Sequence, residues 1–250
     1  MLKFIINIKL SIPLYWRQLI NNTDTFAIMP DYPVKINDMV KDITEVPSRE
    51  FYWVLVEKSS KEPSCIKKWE EISDIDIDWP STFLLPFKTI SDTKLQSFQF
   101  RIVHRIIPCN GWLQQIREKI FRKENSGDCD YCGEFDDLVH HLIKCENTNK
   151  FWERFTNWLG NILEEELKIT HHDIIFGQFG DSIYKHIINY CLIIAKYYIF
   201  ITKNKKDNNI DMMIFLQMLK KNLLVKYNYA CLNDTVDHFN FMWNILFENL

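Results

Sequence analysis

Glycine and proline are scarce in this sequence, which has six and eight of them among 250 residues. This low content of turn-forming residues does not fit a turn-rich all-β sandwich, whose short strands need turn residues at regular intervals. Hydrophobic residues make up 47% of the chain and aromatic residues 14%, which is enough for a large core and excludes a disordered protein. From Ser91 onwards, apolar residues recur every three or four positions, and this spacing predicts a mainly α fold.

The chain also lacks an apolar run that is long enough to cross a membrane. The run IINYCLIIAKYYIFIT at 187–202 has sixteen residues with Lys196 among them, whereas a membrane-spanning helix needs about 20 predominantly apolar residues. We therefore predict a buried helix and no membrane partner. The N-terminal MLKFIINIKLSIPL contains Lys9, and no small-residue cleavage site follows it. We expect no secretory signal and an intracellular protein, in the nucleus and/or cytoplasm.

The periodic part of the sequence predicts a series of amphipathic helices. The first has one apolar face and ends at Pro108; its face consists of Leu95, Phe98, Ile102 and Ile106. A second helix is predicted through GWLQQIREKIF (111–121). Three more fit 181–203, 210–228 and 234–248, and KNKKDNN (203–209) is predicted to be an exposed linker.

Two further segments complete the prediction of secondary structure. Thr148 is a plausible cap for a helix through FWERFTNWLGNIL. The predicted buried stripe of that helix is Phe151, Phe155, Trp158 and Ile162. The first ninety residues are less periodic, and their run FYWVLV (51–56) fits a strand or a helix, since a short apolar run does not decide between them.

Three cysteines and two histidines lie close together in CDYCGEFDDLVHHLIKC (129–145). Thiolate and imidazole are the usual ligands of structural zinc, which takes four of them in a tetrahedron. Cys129, Cys132 and Cys145 supply three. The residues alone do not decide whether His140 or His141 is the fourth ligand. On a continuous helix His141 shares a face with Cys145, whereas His140 requires the helix to end first.

Four protein ligands leave no position for water or substrate, so we expect one structural zinc ion and not a catalytic one. The alternative is that these cysteines are small buried hydrophobic residues, which suits the lone Cys191 inside its apolar helix better than this cluster. The sequence therefore predicts a mainly α protein with a small Cys3His zinc knuckle between helices. We divide it into an irregular or helical segment at 1–90, a zinc-binding domain with flanking helices at 91–165, and a C-terminal helical region at 166–250.

The cluster and its flanks carry a family resemblance. The pattern C-x2-C-G-x3-D-x2-H-x4-C, followed by F-W, resembles the zinc-binding segment after the polymerase domain in non-LTR (LINE-type) retrotransposon reverse transcriptases. KLQSFQFRIVHRIIPCNGWL (94–113) and KFWERFTNWL (150–159) resemble the helices around that segment, and NYCLIIAKYYIFITK (189–203) resembles a later apolar helix. IPLYWRQLI and REFYWVLV are weaker upstream matches. The resemblance covers most of the chain and is strongest from about 90 to 160.

The resemblance implies a ligand set and partners. It implies that His140 completes the site with the three cysteines, because the family's histidine lies five residues before the last cysteine. Asp137 stands where the family usually has threonine, which does not affect a ligand. The implied partners are RNA or DNA, held during target-primed reverse transcription, and possibly the polymerase part of the parent polyprotein.

A polymerase active site is missing from the sequence. A reverse transcriptase needs an aromatic-x-Asp-Asp turn whose carboxylates hold magnesium. The single Asp-Asp pair lies in EFDD (134–137), where Glu134 replaces the aromatic residue and both aspartates lie between predicted zinc ligands. No Ser/His/Asp set or phosphate-binding glycine loop stands out. We therefore expect a C-terminal fragment of a transposable-element reverse transcriptase, without enzymatic activity and without a small-molecule substrate.

Basic residues concentrate beside the cluster, since 94–123 contains seven Lys or Arg and one acid, Glu118. Such side chains contact phosphates regardless of base sequence. The predicted nucleic-acid-binding residues are Arg101, His104, Arg105, Arg117, Lys119, Arg122 and Lys123. The alternatives are ordinary solvated helix faces and, for the whole protein, a zinc-stapled helical scaffold that binds proteins through its aromatic residues.

Overall fold

The computed structural model describes residues 33–36, 39–42, 47–72, 76–121, 126–178, 180, 182–205 and 210–250. These residues form ten α-helices, one π-helical turn and two short strands, which confirms the mainly α class. The chain divides into two compact units, Met1–Glu62 and Pro63–Leu250. The three functional segments expected from the sequence stay a prediction.

The first unit contains a strand pair and a helix. Strand β1 (Pro33–Ile36) pairs antiparallel with β2 (Met39–Asp42), so that Pro33 lies opposite Asp42 and Ile36 opposite Met39. Helix α1 (Ser48–Ser59) follows and contains the whole of FYWVLV, so that run is helical. On α1 the exposed rings of Tyr52 and Trp53 contact each other edge to face at 5.7 Å between centroids.

The second unit is entirely helical apart from one isolated β-bridge among its described residues. Side-chain caps fix several helix starts, since the carboxylates of Asp78, Asp92 and Asp211 accept hydrogen bonds from backbone N–H groups two or three residues later. The elements are α2 (Ser64–Glu70), α3 (Trp79–Thr89), α4 (Thr93–Val103), α5 (Asn110–Phe121), the π-helical turn (His140–Lys144), α6 (Glu146–Leu163), α7 (His171–Phe176), α8 (Lys185–Asn204), α9 (Met212–Leu232) and α10 (Val236–Phe247).

Helix α8 lies at the centre of this unit and confirms the buried helix predicted at 187–202. It packs against α3, α4, the π-helical turn, α9 and α10, and Cys191 is a buried apolar residue within it, as expected. Lys196 is also fully buried, and its Nζ donates a hydrogen bond of 2.6 Å to Oε1 of Gln99. Among the described helices, none combines the length and the apolar character that a membrane crossing requires.

Helix α4 ends earlier than the sequence indicates. The prediction that Ile106 belongs to its buried face is wrong, because the helix ends at Val103 and Ile106 is exposed. Arg105 adopts a left-handed backbone conformation with φ 57°. The N–H of Ile106 then donates to the carbonyl of Arg101, which is the hydrogen bond of a Schellman helix end. The reversal buries Ile107 instead.

Helix α6 begins earlier than predicted. It starts at Glu146, directly after Cys145, so Thr148 lies inside the first turn and is not the cap. The hydroxyl of Thr148 is buried and faces the carbonyl of His141 at 3.5 Å. The predicted buried stripe is correct for Phe151 and Phe155, which are fully buried. Its second half is shifted by one residue, since Leu159 and Leu163 are fully buried where Trp158 and Ile162 were predicted.

The C-terminal helices agree with the predicted ranges, but the linker between the first two does not. Lys203 belongs to α8 and is buried, so its assignment to an exposed linker is wrong. Asn204 and Lys205 are exposed as predicted, and 206–209 lie outside the described residues. The burial of Lys203 is explained by a carboxylate from the cysteine-rich segment.

Candidate metal centre

A tight turn orients the first two cysteines. The N–H of Cys129 donates to the carbonyl of Glu134 at 2.7 Å, and the N–H of Gly133 donates to the carbonyl of Cys129 at 2.9 Å. Gly133 has φ 78°, a left-handed conformation that costs a residue with a Cβ atom free energy. This turn places the Cys129 and Cys132 side chains on the same side of the segment.

The π-helical turn brings the remaining two ligands together. The N–H of Cys145 donates to the carbonyl of His140 at 3.0 Å, a hydrogen bond across five residues. In an α-helix, side chains five residues apart diverge by about 140°. The wider π turn aligns them instead. The π-helical turn also ends at Lys144, and Cys145 has an extended conformation with ψ 134°, so the helix ends before Cys145 as the assignment of His140 requires.

The four candidate ligand atoms converge on one point. Those of Cys129, Cys132, His140 and Cys145 all lie within 4.8 Å of one another. Sγ of Cys129 is 3.8 Å from Sγ of Cys145, and Sγ of Cys132 is 3.3 Å from Nε2 of His140. Zinc bonds of about 2.3 Å to sulfur and 2.0–2.1 Å to nitrogen, at tetrahedral angles, place two sulfurs about 3.8 Å apart and sulfur and nitrogen about 3.5 Å apart. The geometry of this Cys3His group suits a metal ion such as zinc.

The pKa shifts of two ligands favour metal binding, whereas burial raises the pKa of the Cys132 thiol to about 11. Burial lowers the pKa of His140, which keeps its imidazole in the neutral form that binds metals. Burial of Cys145 opposes ionisation, but the Lys203 ammonium and the backbone N–H groups of Asn147 and Thr148 outweigh it and lower the pKa of the thiol. The start of α6 thus favours the thiolate form of Cys145.

His141 has a different partner. Its side chain is 3% exposed, and its Nδ1 lies 2.9 Å from Oδ2 of Asp136, itself almost completely buried. Burial opposes ionisation of Asp136, but the hydrogen bond from His141 outweighs it and lowers the carboxyl pKa. Because its ring is turned towards Asp136, His141 is not part of the converging ligand group.

Lys203 joins this buried pair from α8. Its Nζ lies 3.6 Å from Oδ1 of Asp136 and donates a hydrogen bond of 3.3 Å to the carbonyl of His141. Three thiolates and a neutral imidazole around Zn²⁺ would carry a charge of about −1, which a nearby ammonium would stabilise.

The sequence reasoning missed this group of Asp136, His141 and Lys203. The spacing of Asp136 and His141, an acid followed five residues later by a histidine, could have indicated the contact between them. Nothing in the polar context of Lys203 indicated its burial.

Two further contacts fasten the segment to the helices. The backbone N–H of Asn110, the first residue of α5, donates to Oδ2 of Asp136 at 3.1 Å. The indole N–H of Trp152 on α6 donates to the carbonyl of Leu142 at 2.7 Å. The candidate metal centre is therefore attached to α5, α6 and α8 and is not an isolated surface loop.

The predicted nucleic-acid-binding residues lie in different surroundings. Arg101 is partly exposed and Arg117 is exposed. His104 lies between two rings, with centroids 4.0 Å from Phe100 and 5.6 Å from Phe83. The side chain of Lys119 and the whole of Arg122 and Lys123 lie outside the described part of the chain.

Arg105 is held by contacts inside the protein. Its guanidinium donates a hydrogen bond of 3.0 Å to the carbonyl of Lys68 and lies 4.9 Å from the centroid of the Trp69 ring. These contacts connect the end of α4 to the last turn of α2. A structural role therefore accounts for Arg105.

Fold and site together define a mainly α protein with a Cys3His group of metal-binding geometry. No protein-family model matches the chain, and a search of curated proteins gives no significant match. The resemblance to retrotransposon reverse transcriptases thus rests on the sequence motifs alone.

Proposed function

We propose that this protein is a zinc-stabilised, nucleic-acid-binding module related to the C-terminal region of non-LTR retrotransposon reverse transcriptases, without polymerase activity of its own. The observation that carries the metal assignment is the convergence of three sulfurs and one imidazole nitrogen within 4.8 Å. Cys129, Cys132, His140 and Cys145 bind one zinc ion in this proposal.

A structural zinc fits this environment better than a catalytic one. Four protein ligands fill the tetrahedron and leave no position for water or substrate. Cys129 and Cys145 are buried, and hydrogen bonds fix the segment to three helices. The proposed function of the metal is to hold the segment between α5 and α6 in one conformation.

The nucleic-acid assignment is supported by a row of rings on the surface, formed by Phe83, His104 and Phe100 and here called the ring row. Phe100 is 42% exposed, so it offers a surface on which a base can stack. Burial lowers the pKa of His104, so at neutral pH it contributes a neutral ring and not a positive charge. Single-stranded nucleic acids bind to such rings when basic side chains lie beside them.

Arg101 and Arg117 are the described candidates for phosphate contacts. Arg101 is adjacent to Phe100 in the sequence, and its Nε makes only a local hydrogen bond of 3.3 Å to the carbonyl of Ser97. Arg117 is exposed on α5. Since Arg105 is engaged with α2, this proposal assigns it no phosphate contact.

Fluorescence anisotropy with a labelled single-stranded RNA, its DNA counterpart and the duplexes tests the proposal. In the Arg101→Gln, Arg117→Gln double variant, the slope of log affinity against log salt should flatten by roughly 0.7 for each lost single-strand contact. The matched control is Lys185→Gln with Lys221→Gln, two exposed lysines on other helices. Equal binding and equal slopes for the two double variants would overturn the assignment.

The ring row is tested separately by Phe100→Ala. Loss of one stacking surface should weaken single-strand binding by about tenfold, the lower part of the range measured for base–aromatic stacking. Phe241→Ala, which removes an 86% exposed ring from α10, should have no effect. A loss of duplex binding as large as that of single-strand binding would contradict stacking.

A second candidate function is a zinc-stapled scaffold that binds another protein. Exposed apolar residues on α9 and α10 favour it; they include Val225, Leu232 and Phe241. Such patches are typical of interaction surfaces. Binding of a protein partner through them should depend little on salt, in contrast to nucleic-acid binding.

A further inference from the structure

A cavity of about 380 Å³ opens beside the start of α4, between that segment and helices α8 and α9. Its volume lies in the range of about 300–1,000 Å³ that is usual for small-molecule sites. Ile90, Leu95 and Tyr190 are buried side chains of its lining, whereas Val225 and Tyr229 are exposed. The cavity is therefore a mainly apolar depression with an open mouth, well separated in sequence from the metal centre.

One polar group of the lining is the phenol of Tyr190. The Tyr190 side chain is only 4% exposed and belongs to the lining of the cavity. Burial raises the pKa of the Tyr190 phenol, so it remains a protonated donor at physiological pH.

The second polar group is the ammonium of Lys226 on α9. The ammonium of Lys226 lies 4.6 Å from the centroid of the Trp243 ring and 5.2 Å from that of Tyr190. Among the described residues, no carboxylate forms an ion pair with it. Burial lowers the pKa of Lys226, which reflects a charge that has lost water without gaining an anion.

The acidic residue of the lining is already engaged. Oδ1 of Asp92 accepts a hydrogen bond of 2.8 Å from the backbone N–H of Lys94 and caps α4. The cavity thus combines the Tyr190 phenol and the Lys226 ammonium with apolar walls and with the Asp92 carboxylate, which is held by the start of α4. This arrangement complements a negatively charged group attached to an apolar body.

We propose that this cavity binds a small molecule consisting of an apolar, ring-sized body and one carboxylate or phosphate group. The anionic group accepts hydrogen bonds from the Tyr190 hydroxyl and the Lys226 ammonium, and the body packs on Leu95, Ile90 and Tyr229. This site is independent of the proposed zinc and nucleic-acid functions, because none of its residues takes part in them.

Protein-observed NMR with the full chain tests the proposal, using phenylacetate, phenyl phosphate, inorganic phosphate and the neutral benzyl alcohol as probes. At least one of the two aromatic anions should shift the signals of residues around the cavity in a saturable way, and more tightly than benzyl alcohol. The tighter of the two identifies carboxylate or phosphate as the preferred group. Benzyl alcohol binding as tightly as both, or no saturable shift with either anion, would overturn the proposal.

Variants locate the binding and separate it from folding. Lys226→Met should weaken the preferred anion by at least about tenfold, as expected for a lost charge-assisted contact, and Tyr190→Phe should weaken it while keeping the ring. Lys221→Met, an exposed lysine of the same helix, should bind like the parent protein. Unchanged affinity in Tyr190→Phe and Lys226→Met, with circular dichroism showing both folded, would overturn the site.

Discussion

Nζ of Lys203 lies 3.6 Å from Oδ1 of Asp136, and both side chains are almost completely buried. The two residues are far apart in sequence, one in the cysteine-rich segment and the other in the last turn of α8. His141 completes the group by contacting the other carboxylate oxygen at 2.9 Å. The candidate metal centre is thus coupled to the central helix of the core through buried charges.

Removing the ammonium should destabilise the protein strongly. In Lys203→Met the Asp136 carboxylate stays buried but loses the ammonium that balances its charge. Breaking such a buried pair costs about 3–5 kcal/mol of the free energy of unfolding. The matched control is Lys205→Met, an exposed lysine just beyond the same helix, for which we expect a change within about 0.5 kcal/mol. Urea unfolding of both variants measures the difference, and similar midpoints would contradict the importance of the buried contact.

Removing the metal should loosen more than the cysteine-rich segment. Zinc binding is coupled to folding because the ligands seldom converge without it. On addition of a chelator, hydrogen exchange should become faster in 126–145, at the start of α5 and in the last turn of α8, where Asn110 and Lys203 contact Asp136. Helix α9 should keep its protection. If exchange at the end of α8 stayed unchanged, the proposed coupling would be wrong.

The turn at Gly133 should be sensitive to substitution through its backbone alone. A Cβ atom there would meet nothing within 4 Å, but the residue has φ +78°. Gly133→Ala should therefore cost about 1–2 kcal/mol, and Gly133→Asn less, because asparagine tolerates this conformation. Gly180→Ala, also in open space and without a left-handed φ, is the control. Equal stability of the two alanine variants in urea would be evidence against strain at Gly133.

Lys196 should give the protein a characteristic pH dependence. Burial lowers its pKa to about 7, whereas a lysine in the unfolded chain titrates near pH ~10.4. Between these values the unfolded chain binds the proton and the folded chain does not, so the free energy of unfolding rises with pH.

Lys196→Met tests this dependence because it removes the titrating group. From pH 7 to 9, the parent protein should gain up to about 1.4 kcal/mol per pH unit relative to the variant. The loss of the partner of Gln99 shifts the stability of the variant by a constant and leaves the slope unaffected. Parallel pH profiles in urea unfolding would contradict a neutral buried lysine.

The helical architecture could be predicted from the sequence because apolar periodicity reports burial directly. The apolar run at 187–202, for example, predicted α8. Helix ends were less predictable. Ile106 fits the apolar pattern of α4, and only the reversal of the backbone at Arg105 removes it from the buried face of that helix. Arg105 contacts the carbonyl of Lys68 on α2, and the local sequence does not indicate such a long-range contact.

The ligand group could be predicted in part. Spacing identified the three cysteines but left His140 and His141 open, because α-helical geometry favours His141. The π-helical turn, which aligns His140 with Cys145, has no simple sequence signature. The burial of Lys203 could not be predicted either, since it depends on the distant Asp136, and the residue stands at the edge of a polar run.

The most direct test of the account is the zinc content of the full chain, purified without chelator and measured by inductively coupled plasma mass spectrometry. We predict one zinc per chain in the parent protein and in Cys231→Ser, which changes an exposed cysteine outside the group. Cys129→Ser, Cys145→Ser and His140→Gln should lose the metal, whereas His141→Gln should retain it. Folded parent protein without metal, or loss of zinc in His141→Gln but not in His140→Gln, would contradict the proposed centre.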